Sequence, residues 1–322
     1  MKNGEFSQEN GSLLLYNIGE GDDMNQQKKI DIVQGMQDYI KENPSLELEG
    51  MYEYIGYSKR HADRIFSELL HMTPKEYVRK VILTASAEEL VENNASIINI
   101  AMSAGYETHE GFSRAFKRNF DINPDEYRKN PKAIPMFVQY PVWSYYTYLN
   151  HKERLQMDKN TMICTVVLVE KPKRKLIILR SKKAHDYWSF CEESGCDWEG
   201  LLNSIPEKLD TAAIVELPDK LVKDGTSSIA AGIEVPFEYN KEIPKGFEVI
   251  EIEAGTMLYF RSESFEDEKD FGIALDCTFR AYKNYNPREY GCEYDFMMRP
   301  KFNYGATPEM GAKLAFPVKK MS

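Results

Sequence analysis

Arg64 and Arg114 are the side chains best suited to polar recognition in the N-terminal part of this chain, and they occupy matching frames. The stretches GYSKRHADRIFSELLHMTPKEY (56–77) and GYETHEGFSRAFKRNFDINPDEY (105–127) share a skeleton. Arg64 and Arg114, Phe66 and Phe116, Pro74 and Pro124, Glu76 and Glu126, and Tyr77 and Tyr127 each stand 50 residues apart. The leading glycines, Gly56 and Gly105, are 49 apart, so the second copy carries one more residue in its turn. A guanidinium is a planar fork of donors that pairs bidentately with a carboxylate, a phosphate or the O6/N7 edge of guanine. A repeat at this period marks one supersecondary unit used twice.

The elements that must position these side chains follow from local signals. Ile30, Val33, Tyr39 and Ile40 have helical spacing in a segment beginning at Lys28. A short helix is expected over 49–55, and Ser58 suits the N-cap of a helix reaching about Leu70. Thr73 and Pro74 open a longer helix to about Glu92. Ser96 caps a short helix to Ala104, Thr108 caps the next, and Pro124 opens the last. Two helices joined by a three- or four-residue glycine turn form a helix-turn-helix, whose second helix enters the DNA major groove. Two such units on one connector would present reading helices about one DNA turn, roughly 34 Å, apart.

Composition bounds the rest. The chain has 322 residues, 42% of them hydrophobic, enough for two ordinary domains. No apolar run is long enough to span a bilayer, so no membrane partner is expected and the setting is read as cytoplasmic. The five cysteines follow no zinc-ligand spacing and are read as thiols in a reducing compartment. No metal, cofactor or catalytic set (Ser/His/Asp, phosphate loop) is visible. The net charge of −10 argues against a generic polyanion binder, though a locally basic face remains compatible with DNA.

Residues 28–129 resemble the DNA-binding domain of the AraC/XylS family of bacterial transcription regulators. The resemblance rests on GYSKRHADRIF…TPKEYVR and SIINIAMSAGYETHEGFSRAFKRNFDINPDEYRK. It implies an all-α double helix-turn-helix with base-facing positions at Arg60, Asp63, Arg64, His109, Glu110, Ser113 and Arg114, and phosphate-facing Lys59, Lys117 and Arg118. Three departures stand out. The segment holds 14 Lys and Arg against 17 Asp and Glu. Tyr52 and Ala62 exchange the small and large residues usual in the family. Val81 and Ile82 replace basic positions of the connecting helix.

Residues 1–27 read as a mobile tail, and 130–160 as a linker whose Phe137, Tyr140, Trp143, Tyr145, Tyr146 and Tyr148 pack between domains. From 161 to 322 the pattern turns to strands, in the order MICTVVLVE, KLIILRS, a helix over about 184–209, AAIVELP and SIAAGIEVP. That order repeats as GFEVIEIE, TMLYFRS, a helix over about 268–282, CEYDFMM and AKLAFPVKK, giving an α+β domain of duplicated β-β-α-β-β units. DYWSFCEESGCDWEGLLNSI, ELPDKLVKDGTSSIAAGIEVP, IPKGFEVIEIEAGTMLYF and YNPREYGCEYDF resemble GyrI-like effector-binding domains. The resemblance implies a small amphipathic or aromatic ligand, as in multidrug-responsive regulators, held by Tyr187, Trp188, Cys191, Tyr259, Tyr282, Phe302 and Tyr304. Asn303 stands where relatives carry a glutamate, with Glu293 (or Asp295) as a substitute charge.

The reading is a transcription regulator with double-stranded promoter DNA, a small-molecule effector and RNA polymerase as expected partners. A hydrolase and a ligand-sequestering protein with a degenerate DNA-binding domain are the alternatives.

Overall fold

The computed structural model describes residues 23–92, 95–143, 162–267 and 270–321. Helix α1 (Asp23–Glu42) begins ahead of the expected Lys28, so part of the presumed tail is helical, while residues 1–22 lie outside the described residues. Then follow α2 (Glu49–Ile55), α3 (Lys59–Leu70), α4 (Pro74–Glu92), α5 (Ile97–Ser103), α6 (His109–Phe120) and α7 (Pro124–Lys129). From α3 onward the starts fall where Ser58, Pro74, Ser96, Thr108 and Pro124 place them. Gly56 and Gly105 adopt left-handed backbone, with φ of 70° and 76°, which turns each short helix toward its partner without a Cβ penalty. The repeat reaches even the helix ends. His71 and Asp121, 50 apart, close α3 and α6 with φ of 53° and 55°.

One apolar core joins the seven helices. Phe66 and Phe116 are fully buried, with Tyr77 edge-on to Phe66 at 5.3 Å and Tyr127 tilted against Phe116 at 6.0 Å. Val81 and Ile82 are buried in this core, which accounts for apolar residues on that side of the connecting helix. Each such side chain contributes about 1.5–3 kcal/mol by leaving water.

The segment from Asn130 to Trp143 is a strap gripped from both sides. Ile134 and Val142 are buried in the helical core. The Gln37 amide donates to the Tyr140 carbonyl at 2.9 Å and accepts from the Val142 N–H at 2.9 Å. The Phe137 N–H donates to Thr84 Oγ1 at 2.9 Å. On the other side, the Ile134 N–H donates to Ser204 Oγ at 2.8 Å, and Tyr140 Oη donates to Glu199 Oε2 at 2.6 Å. A Cβ at Gly200 would lie 1.8 Å from the Met136 carbonyl oxygen, so only glycine permits this approach. Phe137 and Trp143 pack against the helical core and Tyr140 reaches Glu199 on the sheet side; Tyr145, Tyr146 and Tyr148 lie outside the described residues.

The C-terminal region is one antiparallel sheet of nine strands: β1 (Cys164–Lys171), β2 (Arg174–Arg180), β3 (Ala213–Glu216), β4 (Ile229–Pro236), β5 (Glu248–Ile252), β6 (Gly255–Ser262), β7 (Cys292–Tyr294), β8 (Lys301–Thr307) and β9 (Gly311–Lys320). The order is β1-β6-β9-β8-β3-β4-β2-β5, with β7 also on β9. The pairing is symmetric. β4 lies between β2 and β3 as β9 lies between β6 and β8, and β1 and β5 each cross to the other set.

Two expectations need correction. The helix over 184–209 is two helices, α8 (Tyr187–Ser194) and α9 (Asp197–Asn203), separated by Gly195 at φ 77°. The later helix, α10, runs Phe271–Asn284, close to the expected span. In CEYDFMM only Cys292–Tyr294 is strand, and the partner of β9 at the sheet centre is β8. There the Asp295–Arg299 pair (2.7 Å) and a turn at Asp295 replace extended backbone.

Period-two alternation divides the sheet side chains. Ile177, Ile214, Ala231 and Ile233 pack with Phe190, Trp198 and Leu202 of α8 and α9, and Leu258, Phe260, Leu314 and Phe316 pack with Ala281 and Tyr282 of α10. Leu176, Ile178, Val215, Met257, Tyr259, Phe302 and Ala315 form a separate cluster on the other face, overlain by Leu221 and Val222.

Candidate nucleic-acid interface and ligand face

Helices α3 and α6 are amphipathic in the same frame. Ala62, Ile65, Phe66, Leu69 and Leu70 anchor α3, while Phe112, Ala115, Phe116 and Phe120 anchor α6. What remains outward is the set read from the sequence. Lys59, Arg60, Arg64, Glu110, Arg114, Lys117 and Arg118 are exposed, and Asp63, His109 and Ser113 are partly exposed.

The two helices differ in what holds these side chains. On α3, Tyr52 Oη donates to Asp63 Oδ1 at 2.6 Å, and Lys59 Nζ lies 5.6 Å over the Tyr52 ring. Burial, then the Asp63 carboxylate, pushes the Tyr52 phenol above its ordinary range, so it remains a donor. Arg64 lies 3.9 Å from Glu68, one helical turn on. On α6, Thr108 Oγ1 accepts from the Gly111 N–H at 3.1 Å, His109 Nε2 lies 4.0 Å from Asp125, and no ion pair among the described residues engages Arg114.

The exchanged pair Tyr52 and Ala62 now has a physical account. Both are buried, and the large ring comes from α2 while α3 offers the small residue. The ring also reaches Asp63, which therefore serves inside the domain. Sequence reading missed this contact because nothing local links positions eleven apart across a turn.

In the sheet, Tyr259, Phe302 and Tyr304 come together, with Tyr304 stacked 5.9 Å from Phe302 and 6.3 Å from Tyr259. The other expected ligand residues do not join them. Tyr187, Trp188 and Cys191 sit on α8, and Tyr282 stacks on Phe316 at 3.9 Å on the helix-covered side. Asn303 registers with Ile214 and Leu314, on the face opposite Phe302, and its Oδ1 accepts from the Gly305 N–H at 2.9 Å. Glu293 pairs with Lys319 at 3.1 Å beside a hollow of about 420 Å³ lined by Lys283, Arg288 and Tyr294.

A carboxylate buried on the same sheet face is Glu234, 1% exposed on β4. It lies opposite Leu176, pairs with the equally buried Arg174, and accepts from Lys171 at 2.9 Å. Burial works to lower the Lys171 ammonium, but Glu234 and Tyr259 outweigh it and raise it. Burial, then Glu234, holds the Tyr304 phenol well above its usual range. Lys313 Nζ lies 4.0 Å over the Tyr304 ring and pairs with Asp210. The sequence held a signal for Glu234, a carboxylate inside the otherwise apolar run IAAGIEVP.

Two helix-turn-helix units with outward basic residues on their second helices define a DNA-binding protein. Residues 51–130 match a family model described as a helix-turn-helix domain. The probable transcription factor PqrA of Proteus vulgaris is 34% identical over 100 residues, covering 31% of this chain and 82% of that one. Regulatory protein SoxS of Escherichia coli K12 is 35% identical over 106 residues, covering 33% and 97%. The chain belongs to the AraC-type helix-turn-helix family of DNA-binding transcription regulators. For the sheet-rich half, the structure of SAV2435 bound to tetraphenylphosphonium covers 48% of this chain and 94% of its own at 14% identity and a TM-score of 0.33, a likeness too slight to bear on ligands. Among the described residues no helix is long and apolar enough to cross a membrane, and no cluster is built to hold a metal.

Proposed function

We propose that this regulator reads promoter DNA through α3 and α6 and that its C-terminal half, a GyrI-like domain of two β-β-α-β-β units, binds a small amphipathic, aromatic effector. The symmetric strand pairing supports the duplication. Arg64 and Arg114 are the base-reading candidates, with Lys59, Lys117 and Arg118 on phosphates and RNA polymerase as the downstream partner.

One observation carries the effector reading: a Glu234–Arg174–Lys171 network, its Glu234 and Arg174 buried, beside Tyr259, Phe302 and Tyr304 on the sheet face that holds Leu176, Ile178, Val215 and Met257. Such networks are poor sources of stability, because desolvation offsets their attraction. Apolar walls with a few fixed polar groups are what small-molecule sites use. The effector acts only if it binds the active and inactive arrangements with different affinity, and the strap is where that difference reaches the helices.

Selection of DNA from a random pool by the full chain tests the first part. A two-block motif about one turn apart is expected, and it should be lost in an Arg64→Ala/Arg114→Ala variant. Titration with a lipophilic aromatic cation and a matched aromatic carboxylate, followed by intrinsic fluorescence, tests the second. Saturable binding weakened by Tyr304→Ala is expected; no binding by either would overturn the effector reading.

A further inference from the structure

The chain carries a net charge of −10, yet the sheet face that holds Tyr259 and Phe302 runs against that trend. Strand register fixes which side chains share the face. Arg261 lies opposite Lys313, two residues along from the Tyr259–Ala315 pair. Lys171 stands two beyond Val169, whose partner is Met257. Arg174 stands two before Leu176 on β2. Lys171, Arg174, Arg261 and Lys313 thus gather around the aromatic side chains, and the carboxylates that answer them are Glu234 and Asp210.

Both carboxylates are already engaged. Glu234 Oε1 accepts from Arg174 Nε, and its Oε2 accepts from Lys171 Nζ at 2.9 Å. Asp210 Oδ1 accepts from Lys313 Nζ and from the Thr211 N–H at 2.8 Å. Arg261 is exposed, and no ion pair among the described residues engages it. The tyrosine rings are occupied as well. Lys171 Nζ lies 5.6 Å from the centre of the Tyr259 ring, and Lys313 Nζ 4.0 Å from that of Tyr304. A ligand cation is drawn to an aromatic face at this range. Here the protein's own ammoniums hold such places and would repel a further positive charge.

The face is short of an acceptor. Tyr304 Oη is buried and completes no hydrogen bond, although Tyr259 stands beside it. Burial, then Glu234, keeps this phenol protonated, so it is a donor left without a partner, which is costly. Burial lowers the Lys313 ammonium against the pull of Asp210, and Arg261 and Lys171 push it further down. A bound anion relieves both conditions. A bound cation relieves neither and adds like-charge repulsion.

We infer that the effector held beside Tyr259 and Tyr304 is an aromatic carboxylate, and that an aromatic cation of the same shape is rejected. The inference rests on the effector reading above and adds the sign of the ligand's charge. The ligand carboxylate accepts from Tyr304 Oη and from the Lys171 or Lys313 ammonium, each of which has three donors to distribute. Its rings lie against Leu176, Met257 and Phe302. Arg261 adds attraction from an exposed position without holding the fold together.

The full chain is titrated calorimetrically, at fixed low salt, with a biphenyl carboxylate, the matched biphenyl alcohol and the matched biphenyl trimethylammonium. The carboxylate should bind tightest, by about tenfold or more over the cation, and added salt should weaken it. Arg261→Gln should weaken the carboxylate about two- to fivefold and leave the alcohol unchanged. Lys313→Gln should weaken it further; should that variant fail to fold, the exposed Arg261→Gln still decides. Equal or tighter binding of the cation overturns the charge assignment, and if Tyr304→Ala weakens that binding the effector reading survives. A carboxylate that binds no tighter than the alcohol, or that is indifferent to Arg261→Gln, also overturns the assignment. No binding by any of the three overturns the effector reading and this inference with it.

Discussion

The two helix-turn-helix units share a backbone plan but not a division of labour. The second unit caps α6 with a side-chain hydrogen bond at Thr108 and leaves Arg114 free of ion pairs among the described residues. The first lacks such a bond at Ser58, ties Asp63 to Tyr52, lays Lys59 over the same ring, and shares Arg64 with Glu68. The two units thus differ in how far the outward side chains of α3 and α6 are engaged by their own domain.

The sharpest test of this asymmetry is DNA affinity. Arg114→Ala should cost about 1–3 kcal/mol on a selected site, and Arg64→Ala under about 1 kcal/mol, in fluorescence-anisotropy titrations at fixed salt. Equal losses would erase the distinction. Next in size, Tyr52→Phe should lower stability by about 1 kcal/mol, seen as a lower urea midpoint at unchanged slope. No change would mean that Asp63 is not held from within. Thr108→Ala should cost about 1 kcal/mol against a few tenths for Ser58→Ala, because only Thr108 accepts from its helix. The smallest effect has the opposite sign. His71→Gly should stabilise by about 0.5–1 kcal/mol by relieving left-handed backbone, and Asp121→Gly by less, since aspartate tolerates that region better. Calorimetric melting distinguishes the two.

Most of the helical half was legible because its boundaries are written locally. Ser96, Thr108, Pro74, Pro124 and the two turn glycines act within four residues of where they stand, and Pro74 and Pro124, 50 apart, open matching helices. The sheet half was legible in its strands but less so in its faces. Which side Asn303 takes depends on its register with Ile214, some ninety residues away, and Glu234 finds Arg174 only once β4 has paired with β2. The break after α8 was missed because YWSFCEESGCDWEGLL keeps an apolar helical rhythm across Gly195. The Tyr52–Asp63 bond escaped notice because a ring in an unusual place shows its purpose only when its hydroxyl is seen to land.

The strap has a thermodynamic consequence. Ile134 and Val142 belong to the helical core, while Ala133 and the Tyr140 hydroxyl belong to the sheet side. A wall shared by two cores cannot be dismantled for one of them alone. Opening either half strips the strap of half its partners and exposes apolar surface on the other, so the two transitions are coupled. Chains built from separate domains ordinarily melt in separate steps. This one should show a single calorimetric transition, and replacing Gly200 with alanine should split it in two.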